Sequence, residues 1–230
     1  MKNTILVVIP LCANDAILAE HLCDFIFLVN RREREGHCLL AIAGDVHDEL
    51  SSKVRLAATV AFESVEIVNG PKIVDPNKNI HINKLVGAAA AHIAKSHRVP
   101  WLLLEPDSLP LKHGWLDDIA EAHYSQPKRY SGNWKKIVTP EQYFLNRIAV
   151  YPHDAVDDLA PALASGRVFN MVAGEVIVPK STMHRYVDEA TAVDENYTPR
   201  AGAVLLHSDK NAVLMNKLRP KFEDAAKKKK

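Results

Sequence analysis

The sequence predicts an α/β fold with a mostly parallel central sheet and helices on both faces. Three observations support this: strand and helix patterns alternate through the first half, the first strand segment is a continuous apolar run, and the strand ends carry acidic, glycine or proline residues. Residues 4 to 10 (TILVVIP) form an unbroken β-branched run, as expected of a strand covered on both sides. Residues 16 to 34 then show apolar positions at helical spacing, with Asn14 or Asp15 available as a cap. Residues 37 to 43 read as a second strand ending at Gly44-Asp45, 48 to 60 as a helix, and 62 to 68 as a third strand closed by Asn69-Gly70-Pro71.

Residues 71 to 82 lack periodicity and are expected to form a functional loop. An alanine-rich helix follows over 83 to 96, then a strand over 101 to 104 introduced by Pro100. In a β-α-β-α-β-α-β order a parallel sheet is the natural solution, and ligands bind beyond the carboxyl ends of its strands. Those ends carry Pro10-Leu11, Gly44-Asp45, Asn69-Gly70 and Glu105-Pro106-Asp107, so the site is located by topology alone.

The second half is less regular. Helices are expected over 114 to 124, 154 to 164 and 183 to 190, and strands over 142 to 151, 175 to 179 and 203 to 207. A polar helix containing Leu214 and Leu218 follows. At 230 residues without a repeat or convincing linker, one domain is expected over 1 to 220, its ligand-binding half being 1 to 110 and its second half 111 to 220. Residues 221 to 230 are expected to be a disordered, lysine-rich tail.

The net charge of +1 gives no global field for nucleic acid, so any such contact must come from a local patch. Cys12, Cys23 and Cys38 have no metal-ligand spacing and leave an odd thiol over, which suits a reducing cytoplasm. The apolar run from Ile5 to Leu11 is too short to span a bilayer and reads as a buried strand. No phosphate-binding GxxxxGK[ST] loop, GxGxxG helix start or GxSxG elbow occurs. The spacing of His92 and His97 does not suit a helical zinc site, and His123 and Trp134 are unassigned.

The chemistry concentrates in residues 101 to 119, WLLLEPDSLPLKHGWLDDI. Four apolar residues deliver Glu105 and Asp107 to a strand end, where carboxylates at i and i+2 of an extended chain point the same way. Hard oxygen ligands there suit Mg²⁺ or Mn²⁺ bridging a diphosphate; a strand-end carboxylate capping the next helix is the alternative.

This segment resembles the Asp-x-Asp region of GT-A glycosyltransferases, with Glu105 in the first acidic position. Together with RYSGN (129 to 133) and FLNRIAVYP (144 to 152), it is similar to small glycosyltransferases encoded by bacteriophages. In that group an acidic-Pro-Asp element, a Gly-Trp-Leu helix start and a GVAVYP-like strand recur in this order. The likeness covers most of residues 4 to 215 and departs at Asn146-Arg147, where small residues are usual.

The resemblance implies a GT-A-like (Rossmann-like) fold, a nucleotide-sugar donor that is most often UDP-linked, and a metal held by Asp107 and His207. It implies that Pro10, Leu11, Cys12 and Asp45 line the base and ribose, and that Asn83, Lys84, Glu105 and Lys210 complete the donor side. An inverting enzyme also needs a carboxylate base within reach of the acceptor hydroxyl, for which Glu175 and then Asp118 are candidates. The acceptor implied is a 5-hydroxymethylated pyrimidine in phage DNA, flipped from the duplex and approached by Lys128, Arg129, Lys135, Lys136 and Arg147. Such an enzyme would work in the host cytoplasm. Transfer to a saccharide, lipid or protein, nucleotidyl transfer on a related sheet, and a non-catalytic nucleotide-sugar-binding module are the competing readings.

Overall fold

The structure, a computed structural model, describes residues 4–71, 78–136, 143–164, 169–184, 186–190, 193–194, 196–207 and 209–227. Strand β1 (Leu6–Leu11) pairs in parallel with β2 (Glu35–Ile42) on one side and β4 (Trp101–Leu103) on the other, and β2 pairs in parallel with β3 (Phe62–Asn69). Beyond β4 the direction changes. β7 (Tyr143–Tyr151) runs antiparallel to β4, β6 (Tyr130–Lys136) antiparallel to β7, and β8 (Ser181–Met183) parallel to β6. The seven-stranded order is β3-β2-β1-β4-β7-β6-β8. A small second sheet, β5-β10-β9, joins β5 (Leu109–Pro110), β10 (Leu205–His207) and β9 (Val187–Glu189).

The unbroken apolar character of β1 follows from its two covered faces. Val7, Ile9 and Leu11 point into one core with Leu22, Phe25 and Ile26 of α1 (Ala16–Val29) and Ile119 of α4 (Trp115–Tyr124). Leu214 and Met215 of α7 (Val213–Lys227) complete that side. Leu6 and Val8 point the other way, into a core with Val86, Ala90 and Ile93 of α3 (Lys78–Ser96) and Leu159 of α5 (Ala155–Ala164). Val172 and Ile177 of α6 (Phe169–Ile177) belong to this second core. The period of two along one strand thus feeds two separate cores. The remaining helix, α2 (Asp48–Ala61), packs beside α1 in the first core through Val54 and Ala58.

Several expectations are corrected. Helix α1 ends at Val29 rather than running to Arg34, because Arg31 and Arg32 take positive φ angles of 56° and 64° and reverse the chain. Residues 78 to 82, expected in a loop, open α3. Residues 221 to 227, expected in a disordered tail, are the last turns of α7. The expected strand over 175 to 179 is instead the end of α6 and a 3-10 turn, Val178–Lys180.

Its β-branched residues favour a strand locally, but Phe169, Val172, Ala173 and Ile177 recur at helical spacing and bury against the sheet, and packing wins. Gly174 makes that approach possible, since a Cβ there would lie 2.2 Å from the Tyr143 carbonyl oxygen of β7. The expected helix over 183 to 190 is the end of β8 and the whole of β9. These strands are three residues long and find partners far away in sequence, so periodicity had nothing to register.

Candidate donor and metal site

Glu105, Asp107 and His207 meet beyond the carboxyl ends of β1 and β4. The Leu104 amide donates to the Val8 carbonyl at 2.8 Å, extending the β1–β4 ladder to the residue before Glu105. The Ser108 amide then donates to the Glu105 carbonyl at 2.9 Å, so Glu105-Pro106-Asp107-Ser108 closes as a turn. Strand β10 pairs antiparallel with β5, Leu206 opposite Leu109, which brings His207 alongside that turn. The Asp209 amide donates to the Asp107 carbonyl at 3.0 Å and fastens the two segments together.

His207 Nε2 lies 2.8 Å from Glu105 Oε2 and 3.4 Å from Asp107 Oδ1. The ligand atoms of all three residues fall within 4.8 Å of one another. Glu105 is 6% exposed, and its other oxygen, Oε1, forms an ion pair with Arg147 Nη2 at 3.0 Å. This pairing follows from the antiparallel β4–β7 register, Trp101 opposite Tyr151 and Leu102 opposite Val150, which when continued sets Arg147 opposite Glu105. The imidazole faces Oε2 closely but off the hydrogen-bonding direction, leaving a buried carboxylate oxygen without a hydrogen bond. Such an atom is costly unless a cation or donor meets it. Two carboxylates, one imidazole and an orphaned oxygen at an open strand end fit a divalent metal.

Burial alone would raise the Asp107 carboxyl, but the hydrogen bond and charge of His207 and the charge of Lys210 outweigh it, holding the pKa below the usual aspartate value. Cys12, following β1, has its thiol pushed up to about 12 by burial and by Asp15 and Asp45, with Arg147 opposing. It is therefore a neutral thiol at physiological pH and not a nucleophile. The same influences place Cys12, Asp45 and Arg147 in one neighbourhood, with Pro10 and Leu11 buried in β1 directly before it. Asp45 and Lys210 are exposed.

Other expected site residues are placed differently. Asn83 and Lys84 lie in the second turn of α3 rather than at its start. The Asn83 side chain is buried and donates to the Ala162 carbonyl of α5 at 3.5 Å, while Lys84 is exposed. Glu175 is exposed on α6 instead of opening a strand, and Asp118 pairs with Lys112 at 2.5 Å on the surface of α4.

Of the basic residues expected at an acceptor rim, Arg147 belongs to the Glu105 pair, Lys128 donates to the Pro179 carbonyl at 3.0 Å, and Arg129 pairs with Asp154. The side chains of Lys135 and Lys136 lie outside the described residues.

Sequence reasoning named Arg147 only as part of a basic acceptor rim, and it missed Asp209. Arg147 carries no local signal, because its role depends on the β4–β7 register. Asp209 is 2% exposed and accepts from the Leu214 and Met215 amides at 3.2 and 2.9 Å, capping α7 while its own amide holds Asp107. An aspartate shortly before an apolar helical pattern was the signal that could have found it.

No protein-family model and no curated protein sequence matches the chain. Solved structures do match in fold. The galactosyltransferase LgtC, in complex with donor and acceptor sugar analogues, is 12% identical with a TM-score of 0.52, the match covering 97% of this chain and 96% of that one. Mouse xyloside xylosyltransferase 1, in its apo form, is 9% identical with a TM-score of 0.53, covering 90% and 98%. A 4-diphosphocytidyl-2C-methyl-D-erythritol synthase is 12% identical with a TM-score of 0.55, covering 96% and 100%. The fold is thus the α/β architecture of GT-A glycosyltransferases, with a mostly parallel seven-stranded sheet. Among the described residues, no helix is long and apolar enough to cross a membrane.

Proposed function

We propose that the chain is a glycosyltransferase that moves a sugar from a nucleoside-diphosphate sugar, UDP-linked by preference, to an acceptor hydroxyl. The observation that carries this is the convergence of Glu105, Asp107 and His207 at the carboxyl end of the central strands, in a fold shared with glycosyltransferases. Asp107, His207 and Oε2 of Glu105 would hold Mn²⁺ or Mg²⁺, which when bound neutralises charge on a departing nucleoside diphosphate. Arg147 neutralises Oε1 of Glu105 and aims its other oxygen inward. Lys210 and the positive field of Arg147 favour the diphosphate, while Pro10, Leu11, Cys12 and Asp45 border the base and ribose. Asn83 fixes α3 against α5, so Lys84 is the member of that pair offered to the donor phosphates. Glu175 and Asp118 are the candidate bases, and the pH profiles of Glu175→Gln and Asp118→Asn would tell them apart.

For the acceptor, a hydroxymethylated pyrimidine in DNA is supported by the sequence resemblance alone. Labelled UDP-sugar offered with Mn²⁺ to duplex DNA carrying 5-hydroxymethylcytosine or 5-hydroxymethyluracil, to unmodified duplex, and to saccharide acceptors tests both halves of the reading. Label on the modified duplex supports it throughout. Label on saccharide alone keeps the donor half and moves the acceptor. A second reading, nucleotidyl transfer, is favoured by the full-length likeness to the diphosphocytidyl synthase. Release of pyrophosphate from a nucleoside triphosphate, instead of nucleoside diphosphate from a nucleotide sugar, would select it.

A further inference from the structure

A second convergence of ligand side chains lies toward the opposite end of the sheet. His37 stands near the start of β2, about 17 Å along the strand from Ile42 at roughly 3.3 Å per residue. It shares a face with Leu39 and Ala41, which pack under α3. Glu66 of edge strand β3 is paired with Leu39 and so projects from the same face. Helix α3 ends above them: His92 sits in its last turns, and His97 follows its end, its amide donating to the Ile93 carbonyl at 2.8 Å. This extra turn brings His92 and His97, five apart in sequence, to the same carboxylate.

The geometry is specific. His92 Nε2 is 2.5 Å from Glu66 Oε1, and His97 Nε2 is 2.8 Å from Oε2. His37 Nε2 is 3.3 Å from Oε2, yet this enclosed nitrogen makes no hydrogen bond. The ligand atoms of His37, Glu66 and His97 all lie within 4.8 Å of one another, and their side chains are 18 to 32% exposed, leaving a route for an ion. In a tetrahedral zinc site with bonds of about 2.0–2.1 Å, ligand atoms sit about 3.3 Å apart. The His37 contact already has that spacing, and the His97 contact needs to widen by about 0.5 Å.

We propose that His37, His97 and Glu66 form a second metal site, for a divalent transition ion of the zinc type. His92 holds the free oxygen of Glu66 as an orienting partner. Two imidazoles with one carboxylate favour zinc-like ions over the oxygen-seeking Mg²⁺ and Ca²⁺. A hydrogen-bonded partner on the ligating carboxylate is the usual outer arrangement. Bound there, the ion clamps the end of α3 to the sheet edge, away from the Asp107 cluster.

The test uses the full chain without a histidine tag, stripped with chelator and titrated with Zn²⁺ in an Asp107→Asn/His207→Ala background that disables the other cluster. One zinc per chain is expected to remain. Adding His37→Gln and His97→Gln should weaken zinc binding at least roughly tenfold, since losing even an outer partner costs 10–100-fold. Circular dichroism checks that the variants are folded. Cobalt gives a second readout: its intense visible bands, typical of four-coordination, should appear in the background protein and vanish in the His37/His97 variant. An unchanged zinc affinity in that variant, or no zinc in the background protein, overturns the proposal. Neither outcome bears on sugar transfer.

Discussion

The two clusters hold similar residue types in opposite proportions. Beyond β4, two carboxylates meet one imidazole, with Arg147 and Lys210 near by and Glu105 almost fully buried. Under the end of α3, three imidazoles surround one carboxylate at the surface, where Glu66 is 31% exposed. The first set suits a hard ion that shares its shell with phosphate oxygens, the second an ion that prefers nitrogen. Position decides the rest. The first cluster sits where open α/β sheets bind ligands, whereas the second sits between the end of α3 and the edge strand β3, toward the other end of the sheet.

The strongest way to break this contrast is Asp107→Asn. Sugar transfer at saturating donor and Mn²⁺ should fall roughly 100-fold or more, because charge stabilisation of the leaving group is lost. Zinc bound under α3 should be unchanged, and the melting temperature nearly so. Turnover at the wild-type rate would remove the metal assignment.

Arg147→Ala should come next. It leaves the Glu105 carboxylate buried beside one imidazole, and breaking a buried pair costs about 3–5 kcal/mol. With the Arg147 side chain 27% exposed, a loss of about 2 kcal/mol is expected by urea denaturation, discounted for solvent screening. Arg147→Lys should recover part of it. A loss below about 0.5 kcal/mol would show that Glu105 does not depend on this partner.

A smaller effect separates buried from surface histidines. His123 lies in the core, its Nδ1 2.9 Å from Ser131 Oγ, and burial with the nearby His184 lowers its pKa to about 4. The folded state therefore holds it neutral while the unfolded chain protonates near 6.5. Its contribution is fully present above pH 6.5 and is lost as pH falls from there toward 4, at up to about 1.4 kcal/mol per pH unit. Wild type and His123→Gln, melted side by side from pH 7.5 to 5, should converge as pH falls. Parallel curves would refute the assignment.

The legible parts of the molecule share one property. β1 and β4 were readable because a parallel strand covered on both faces must be apolar throughout, while β2 and the edge strand β3 were marked by shorter apolar runs closed by turn residues. Glu105 and Asp107 followed, because a strand end is a place that topology names in advance. What escaped depended on register or on packing between distant segments. Arg147 meets Glu105 through an antiparallel pairing that no local pattern encodes. Residues 175 to 179 looked like a strand, but they end α6 and enter a 3-10 turn, and Gly174 of α6 touches the backbone of β7. His92 and His97 were dismissed on helical spacing, although His97 lies past the helix end and His37 and Glu66 arrive from other strands.

The most direct test of the central claim is a thermal-shift titration with UDP and Mn²⁺, separately and together. A ligand at about 100 times its Kd stabilises by roughly 2.7 kcal/mol. Wild type should show a shift of that order with both present, and clearly less with either alone. In Asp107→Asn/His207→Ala the joint effect should disappear while any shift from UDP alone remains. An equal joint shift in that variant, or no shift with any nucleoside diphosphate and metal, would contradict a metal-assisted nucleotide-sugar site at Asp107.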